Sequence, residues 1–119
     1  MKDKKTVFTI SGVNNEVEEC WRPRTGNVEN YSVANGYYYD TGTIHNEKPI
    51  YSNGIFIVAW VPDEIMRGFF EYKWQLMRNI GDLPISEFPT GDTVPDSGNY
   101  IQYYSGSRGR DRVTLYHDF

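Results

Sequence analysis

The chain has 119 residues, 16% of them aromatic, and carries 12 Lys and Arg against 16 Asp and Glu, a formal net charge of -4. The length suits a single domain over 1–119, the aromatic content excludes a disordered chain, and one cysteine, Cys20, excludes a disulfide-stapled scaffold. No stretch reaches the ~20 apolar residues of a membrane helix, and the charged start Met1–Lys5 lacks the apolar core of a signal peptide, so a cytoplasmic protein is expected.

Thr6 to Ile10 alternates, with Phe8 and Ile10 on one face and Val7 and Thr9 on the other, and predicts a strand. Gly12 to Asn15 is a turn cluster, and Val17 to Trp21 is a second, acid-rich strand ended by Pro23. Two Asn-Gly pairs follow. Asn35-Gly36 separates Tyr31–Ala34 from Tyr37–Tyr39, and Asn53-Gly54 separates Ile50-Tyr51 from Ile55–Trp60. Both residues tolerate positive φ, so each pair predicts a hairpin turn. Ile55–Val61 is apolar at every position and is expected to be a central strand covered on both faces.

Next comes a predicted helix over about 62–80. Pro62 suits a first turn, Asp63 and Glu64 suit its positive end, and Ile65, Phe69, Tyr72, Leu76 and Ile80 recur at three- and four-residue steps. Gly81 and Pro84 close it. Residues 82–99 form a long acidic connection that Ile85, Phe88 and Val94 are expected to pin to the body. A hairpin of Tyr100–Tyr104 and Arg112–His117 completes the chain. The fold class this predicts is α+β: an antiparallel meander of hairpins with one main helix packed on one sheet face.

Few residues point to catalysis. Cys20, His45 and His117 are far apart in sequence and lack the short spacing of a zinc set, and Asp82, Glu87, Asp92 and Asp96 lack the alternate spacing of a calcium loop. No cofactor, metal or catalytic residue is assigned. Asp40-Thr41-Gly42, preceded by Tyr37–Tyr39, resembles the active-site motif of retropepsin-like aspartic proteases. That resemblance implies an all-β homodimer in which two aspartates share a proton and activate water. It covers about six residues, and the chain departs from the family's pattern in the polar Thr43–Glu47 that follows and in having no Gly-rich apolar flap. The other reading of Asp40 and Gly42 is a strand ending in a turn.

Two surfaces stand out. Gly106–Arg112 combines glycines with Arg108, Arg110 and Arg112, beside Tyr103, a composition able to hold a phosphate, nucleotide or sugar. The tyrosines are the other: three consecutive at Tyr37–Tyr39, and Tyr100, Tyr103 and Tyr104 near the end, where strand alternation places rings on both faces. Exposed Tyr is a favoured contact residue. The negative charge argues against direct nucleic-acid binding and in favour of a basic partner, such as a nucleic-acid-binding protein. The expected function is therefore a non-enzymatic inhibitor of the phage anti-defence or toxin-immunity kind. It would bind another protein, with Tyr37, Tyr39, Tyr100 and Tyr104 as anchors and Asp82, Glu87, Asp92 and Asp96 steering; a homodimer is compatible with this, and no membrane role is expected. Small-ligand binding through the Arg loop is the alternative, and the aspartic protease a minor one.

Overall fold

The computed structural model describes residues 5–14, 31–103 and 112–118. Eight strands follow in chain order: β1 (Thr6–Ser11), β2 (Gly36–His45), β3 (Lys48–Ser52), β4 (Ile57–Met66), β5 (Phe69–Met77), β6 (Ser86–Phe88), β7 (Gly98–Ile101) and β8 (Arg112–His117). Every ladder is antiparallel, and the sheet runs β6-β5-β4-β3-β2-β1-β8-β7. Sequence neighbours are thus spatial neighbours, and β8 returns to β1, so the meander rolls into an up-and-down barrel. The roll closes at β6 and β7 through one bridge, Ser86 to Gln102. The Ser86 hydroxyl donates to Ile101 O (2.8 Å), and Tyr103 N–H donates to Ile85 O (2.7 Å), which holds that seam together.

This overturns the α+β expectation. Among the described residues no helix reaches seven residues, and the only helical element is a 3-10 turn, Tyr31–Ala34. The segment expected to be a helix over 62–80 is instead most of the β4–β5 hairpin, in register from Ile57↔Met77 to Met66↔Phe69. Gly68 explains the reversal: with φ +82° at the tight Arg67-Gly68 turn, it takes a conformation that costs other residues strain. From Glu71 to Leu76 polar and apolar residues alternate, a period of two that a strand satisfies and a helix does not. The Asn35-Gly36 hairpin is also corrected. Tyr31–Ala34 is the 3-10 turn, not a strand, and Asn35-Gly36 leads from it into β2. Asn53-Gly54 does join two strands, through the loop 53–56. The strand expected over Val17–Trp21 lies outside the described residues.

The barrel interior is aromatic. Phe8, Tyr38, Tyr51, Trp74 and Phe88 are buried there with Val58, Leu76, Val113 and Leu115. Phe8 stacks on Tyr38 (5.3 Å) and meets Tyr51 edge-on (5.1 Å); Tyr51 leads to Trp74 (5.9 Å), and Trp74 to Trp60 (5.3 Å). Each such ring pair adds roughly 0.5–1.5 kcal/mol beyond the area it buries. Eight strands enclose an interior that side chains alone can fill, and bulky rings from β1 to β5 fill this one.

Both ends are stoppered. At the lower end the Asn35 side-chain amide clips Val13, accepting from its N–H (2.8 Å) and donating to its O (3.1 Å). Gln102, fully buried, does the same for Asn14, at 2.8 Å each way. Tyr38 Oη donates to Ala34 O (2.6 Å). At the upper end residues 89–97 fold over the mouth: Tyr51 Oη donates to Thr93 O (2.6 Å), Trp74 Nε1 to Gly91 O (3.2 Å), and His117 Nε2 meets Pro95 O (2.7 Å). Val94 packs on the core, as Ile85 and Phe88 do from the start of the connection, so the expected pinning of 82–99 is found. No helix among the described residues is long and apolar enough to cross a membrane.

Candidate functional site

The β4–β5 hairpin is much longer than its neighbours. β3 pairs with β4 only at Ile57 and Val58, and β6 reaches along β5 only as far as Trp74. Pro62–Met66 and Phe69–Tyr72 therefore project from the upper end as a two-stranded arm whose strands, among the described residues, pair with each other alone. At a rise of about 3.3 Å per residue, four to five residues per strand reach roughly 13–16 Å.

A two-stranded hairpin alone is marginal in water, and the arm's base is tied down accordingly. Trp60 stacks on Tyr72 (6.0 Å) and touches Trp74, which continues the interior aromatic chain into the arm. Lys48 Nζ sits 5.0 Å from the Trp60 ring centre and also holds Asp92, at 3.4 Å from Oδ1 and through the main-chain carbonyl. On the outer face Lys73 Nζ lies 3.2 Å from Asp63 and 3.8 Å from Glu87. Burial alone would lower the Lys73 pKa, but the Asp63 hydrogen bond and the charges of Glu87, Asp63 and Glu71 outweigh it and raise the pKa. Glu87 also accepts from Gln75 Nε2 (2.5 Å) and Tyr103 Oη (2.8 Å). At the turn, the Glu64 carboxylate accepts from Gly68 N–H (2.9 Å).

The tip is apolar and open. Ile65 is 53% exposed, Met66 and Phe70 60% and Phe69 63%. Four large apolar side chains together on a projecting element form the kind of patch that marks an interaction site. Glu64 and Glu71 lie on the arm itself, and Asp92, Asp96 and Glu47 lie on loops at the same end of the barrel. Of the cations at that end, Lys48 and Lys73 are held by Asp92, Asp63 and Glu87, and Arg67 stands at the turn of the arm. The result is an apolar tip, with Arg67 at its turn, above a predominantly acidic rim.

The residues expected to form one contact surface are spread over the barrel. Tyr37 is 70% exposed on the outer face of β2, at the lower end. Tyr39 lies on the same face, half-buried, paired with Ser52 and Thr6. Tyr100 points inward against Phe88 (4.7 Å) and donates to Asp96 O (2.7 Å); burial, then the Asp96 charge, raises its pKa. Tyr104, Arg108 and Arg110 lie outside the described residues. Asp82 sits in the lower turn after β5, and Glu87 is engaged with Lys73, Gln75 and Tyr103. Only Asp92 and Asp96, on the mouth loop, join the arm at one end. Arg112 faces outward on β8, while Tyr103 is bound to Glu87. Asp40 is exposed at an irregularity of β2 and accepts from Gly42 N–H (2.8 Å), the turn role of that motif. Among the described residues no three His, Cys, Asp or Glu are grouped to hold a metal ion.

Ile65, Met66, Phe69 and Phe70 were not expected to be functional, because a helical reading buries them on the sheet. The signal that finds them is Gly68 flanked by apolar pairs, Ile65-Met66 and Phe69-Phe70, next to an alternating run: the tip of a hairpin with no room to turn all four inward. No known protein family matches the chain, and neither the curated proteins nor the solved structures include a significant match to it.

Proposed function

We propose that this chain is a non-enzymatic binding protein that docks the tip of its β4–β5 arm into an apolar cleft of another protein. The observation that carries this reading is the exposure of Ile65, Met66, Phe69 and Phe70 on an arm whose base is anchored to the core. The barrel supplies rigidity, so the arm is presented at little entropic cost on binding. The acidic rim steers the approach and favours a cleft edged with Lys or Arg. In its concrete form the protein is a small inhibitor, of the phage anti-defence or toxin-immunity kind, that blocks a basic partner by occupying its cleft. Relative to the sequence-based expectation, the anchors move from the tyrosines to the arm, and Asp92 and Asp96 keep their steering role.

Photocross-linking tests this. A benzophenone side chain at Phe69 is expected to trap one host protein that the same group at Tyr37 does not trap. Capture should disappear in a Phe69→Ser, Phe70→Ser double variant that melts like wild type. Capture that survives this double variant and depends instead on Tyr37 would refute the arm reading.

A further inference from the structure

The two long edges of the arm differ. In an antiparallel ladder, successive residues turn their backbone polar groups to opposite edges. On β4, Asn46 Nδ2 donates to Trp60 O (3.0 Å), so Trp60 turns its backbone away from β5, and Pro62, two residues on, shares that orientation. Proline has no N–H, so the outer edge of β4 lacks a donor at the base of the arm, a device that blunts edge pairing. On β5, Ile85 N–H donates to Leu76 O (2.7 Å), so Leu76 faces β6, as Trp74, Tyr72 and Phe70 do by the same alternation. Strand β6 ends at Phe88, opposite Trp74, and Pro89 follows. The N–H and C=O groups of Tyr72 and Phe70 therefore line an edge that no described strand covers.

Resting on the arm reading above, we propose that the partner adds a strand to this β5 edge, and that the added segment alternates apolar and basic residues. Backbone hydrogen bonds to Phe70 and Tyr72 supply the pairing, as in other strand additions. The side chains across from Phe70 and Tyr72 share a face with those two rings and with Trp60, so apolar residues fit there. The residue between them falls opposite Glu71, which is exposed on the other face. Beside Glu71 on that face lies Lys73, which is already committed to Asp63 and Glu87. A Lys or Arg at that place completes the pair, and the neighbouring acids of the rim extend the attraction. A second copy of this chain fits worse, because antiparallel pairing of two β5 edges with Phe70 opposite Tyr72 sets Glu71 against Glu71, a like-charge pair.

The test uses 15N-labelled protein and three capped pentapeptides at millimolar concentration and low salt: Val-Lys-Val-Lys-Val, Val-Glu-Val-Glu-Val, and the first peptide N-methylated along its backbone. The Lys peptide is expected to shift the Phe70 and Tyr72 amide signals and slow their hydrogen exchange. It should bind roughly two- to fivefold tighter than the Glu peptide, the factor a cross-strand charge pair of up to about 1 kcal/mol supports. That preference should vanish in Glu71→Gln, and the N-methylated peptide should not bind. Absence of shifts along 69–73, equal binding of the N-methylated peptide, or indifference to peptide charge would each overturn strand addition. If the cross-link from Phe69 persists in those cases, the arm reading stands and only strand addition falls. Loss of the cross-link with the peptide effects intact would instead remove the arm reading.

Discussion

Gln102 is the test of how the barrel holds its seam. It is fully buried beside the Ser86 bridge, and its amide makes two 2.8 Å hydrogen bonds to the main chain of Asn14, one in each direction. Leu has nearly the same volume, so Gln102→Leu leaves little cavity and removes only polarity. Asn14 N–H and C=O then lose those two bonds in a half-buried position. At about 1–1.5 kcal/mol per group, the lower part of the usual range because water reaches Asn14 in part, the loss comes to about 2–3 kcal/mol. For a domain of this size each kcal/mol moves Tm by roughly 4 °C, which predicts a fall of about 8–12 °C. Gln102→Glu separates the two bonds. Its carboxylate still accepts from Asn14 N–H but meets Asn14 O without a proton, and burial raises its pKa above the unfolded value of about 4.3. The unfolded state gives up that proton first as pH rises, so the variant is least stable above the folded pKa and recovers as pH falls through it. Thermal melts followed by tryptophan fluorescence, from pH 4 to 8, measure both effects. A Gln102→Leu variant that melts within about 2 °C of wild type would show that the clip contributes nothing net.

Further predictions follow from the mouth and the arm. Gly91 has φ +122°, and a Cβ there would press on Val94 O, Pro95 and Asp96 N, so Gly91→Ala should cost about 2 kcal/mol or more in urea unfolding and free the Trp74 indole from the loop. Burial, with the Asp40 charge, pushes the Tyr51 pKa up to about 12. The unfolded phenol ionises near 10, so the stability this group contributes is complete below pH 10 and is lost as pH rises towards 12. Tyr51→Phe, which also loses the bond to Thr93 O, should cost about 1 kcal/mol at pH 7 and flatten that alkaline decline in pH-dependent denaturation. Lys73→Met should loosen the arm while the barrel stays folded, seen as faster amide exchange confined to residues 62–72; uniform loss of protection would show that the arm and barrel unfold together.

Local chemistry in the sequence determined much of the strand content. Phe8 and Ile10 face inward from β1, the apolar run expected as a strand over Ile55–Val61 is covered on both faces from Ile57 to Val61 while Ile55 is exposed in the preceding loop, and β7 pairs with β8. Each of these follows from a period of two or an apolar run, and such patterns survive folding because burial of apolar area enforces them. Residues 62–80 misled because spacing over two strands joined by a tight turn can imitate a helical stripe: Ile65 and Phe69 lie on opposite sides of the Arg67-Gly68 turn, not one helical turn apart. What distinguished the two was whether Phe69 and Phe70 find something to pack on, and that depends on how far β3 and β6 extend alongside. The tyrosines show the same limit. Tyr37, Tyr38 and Tyr39 had to divide between two faces, but whether an outward ring meets solvent or a neighbour is set by strands distant in sequence. The barrel's closure, the stoppered ends and the uncovered arm arise from contacts between residues as far apart as Asn14 and Gln102. Local pattern therefore marked β1, parts of β2, β3 and β4, and the closing hairpin, whereas β5 reads locally as a helix and β6 as part of a loop. Which apolar residues stay uncovered is set by long-range contacts, because exposure depends on where neighbouring strands end.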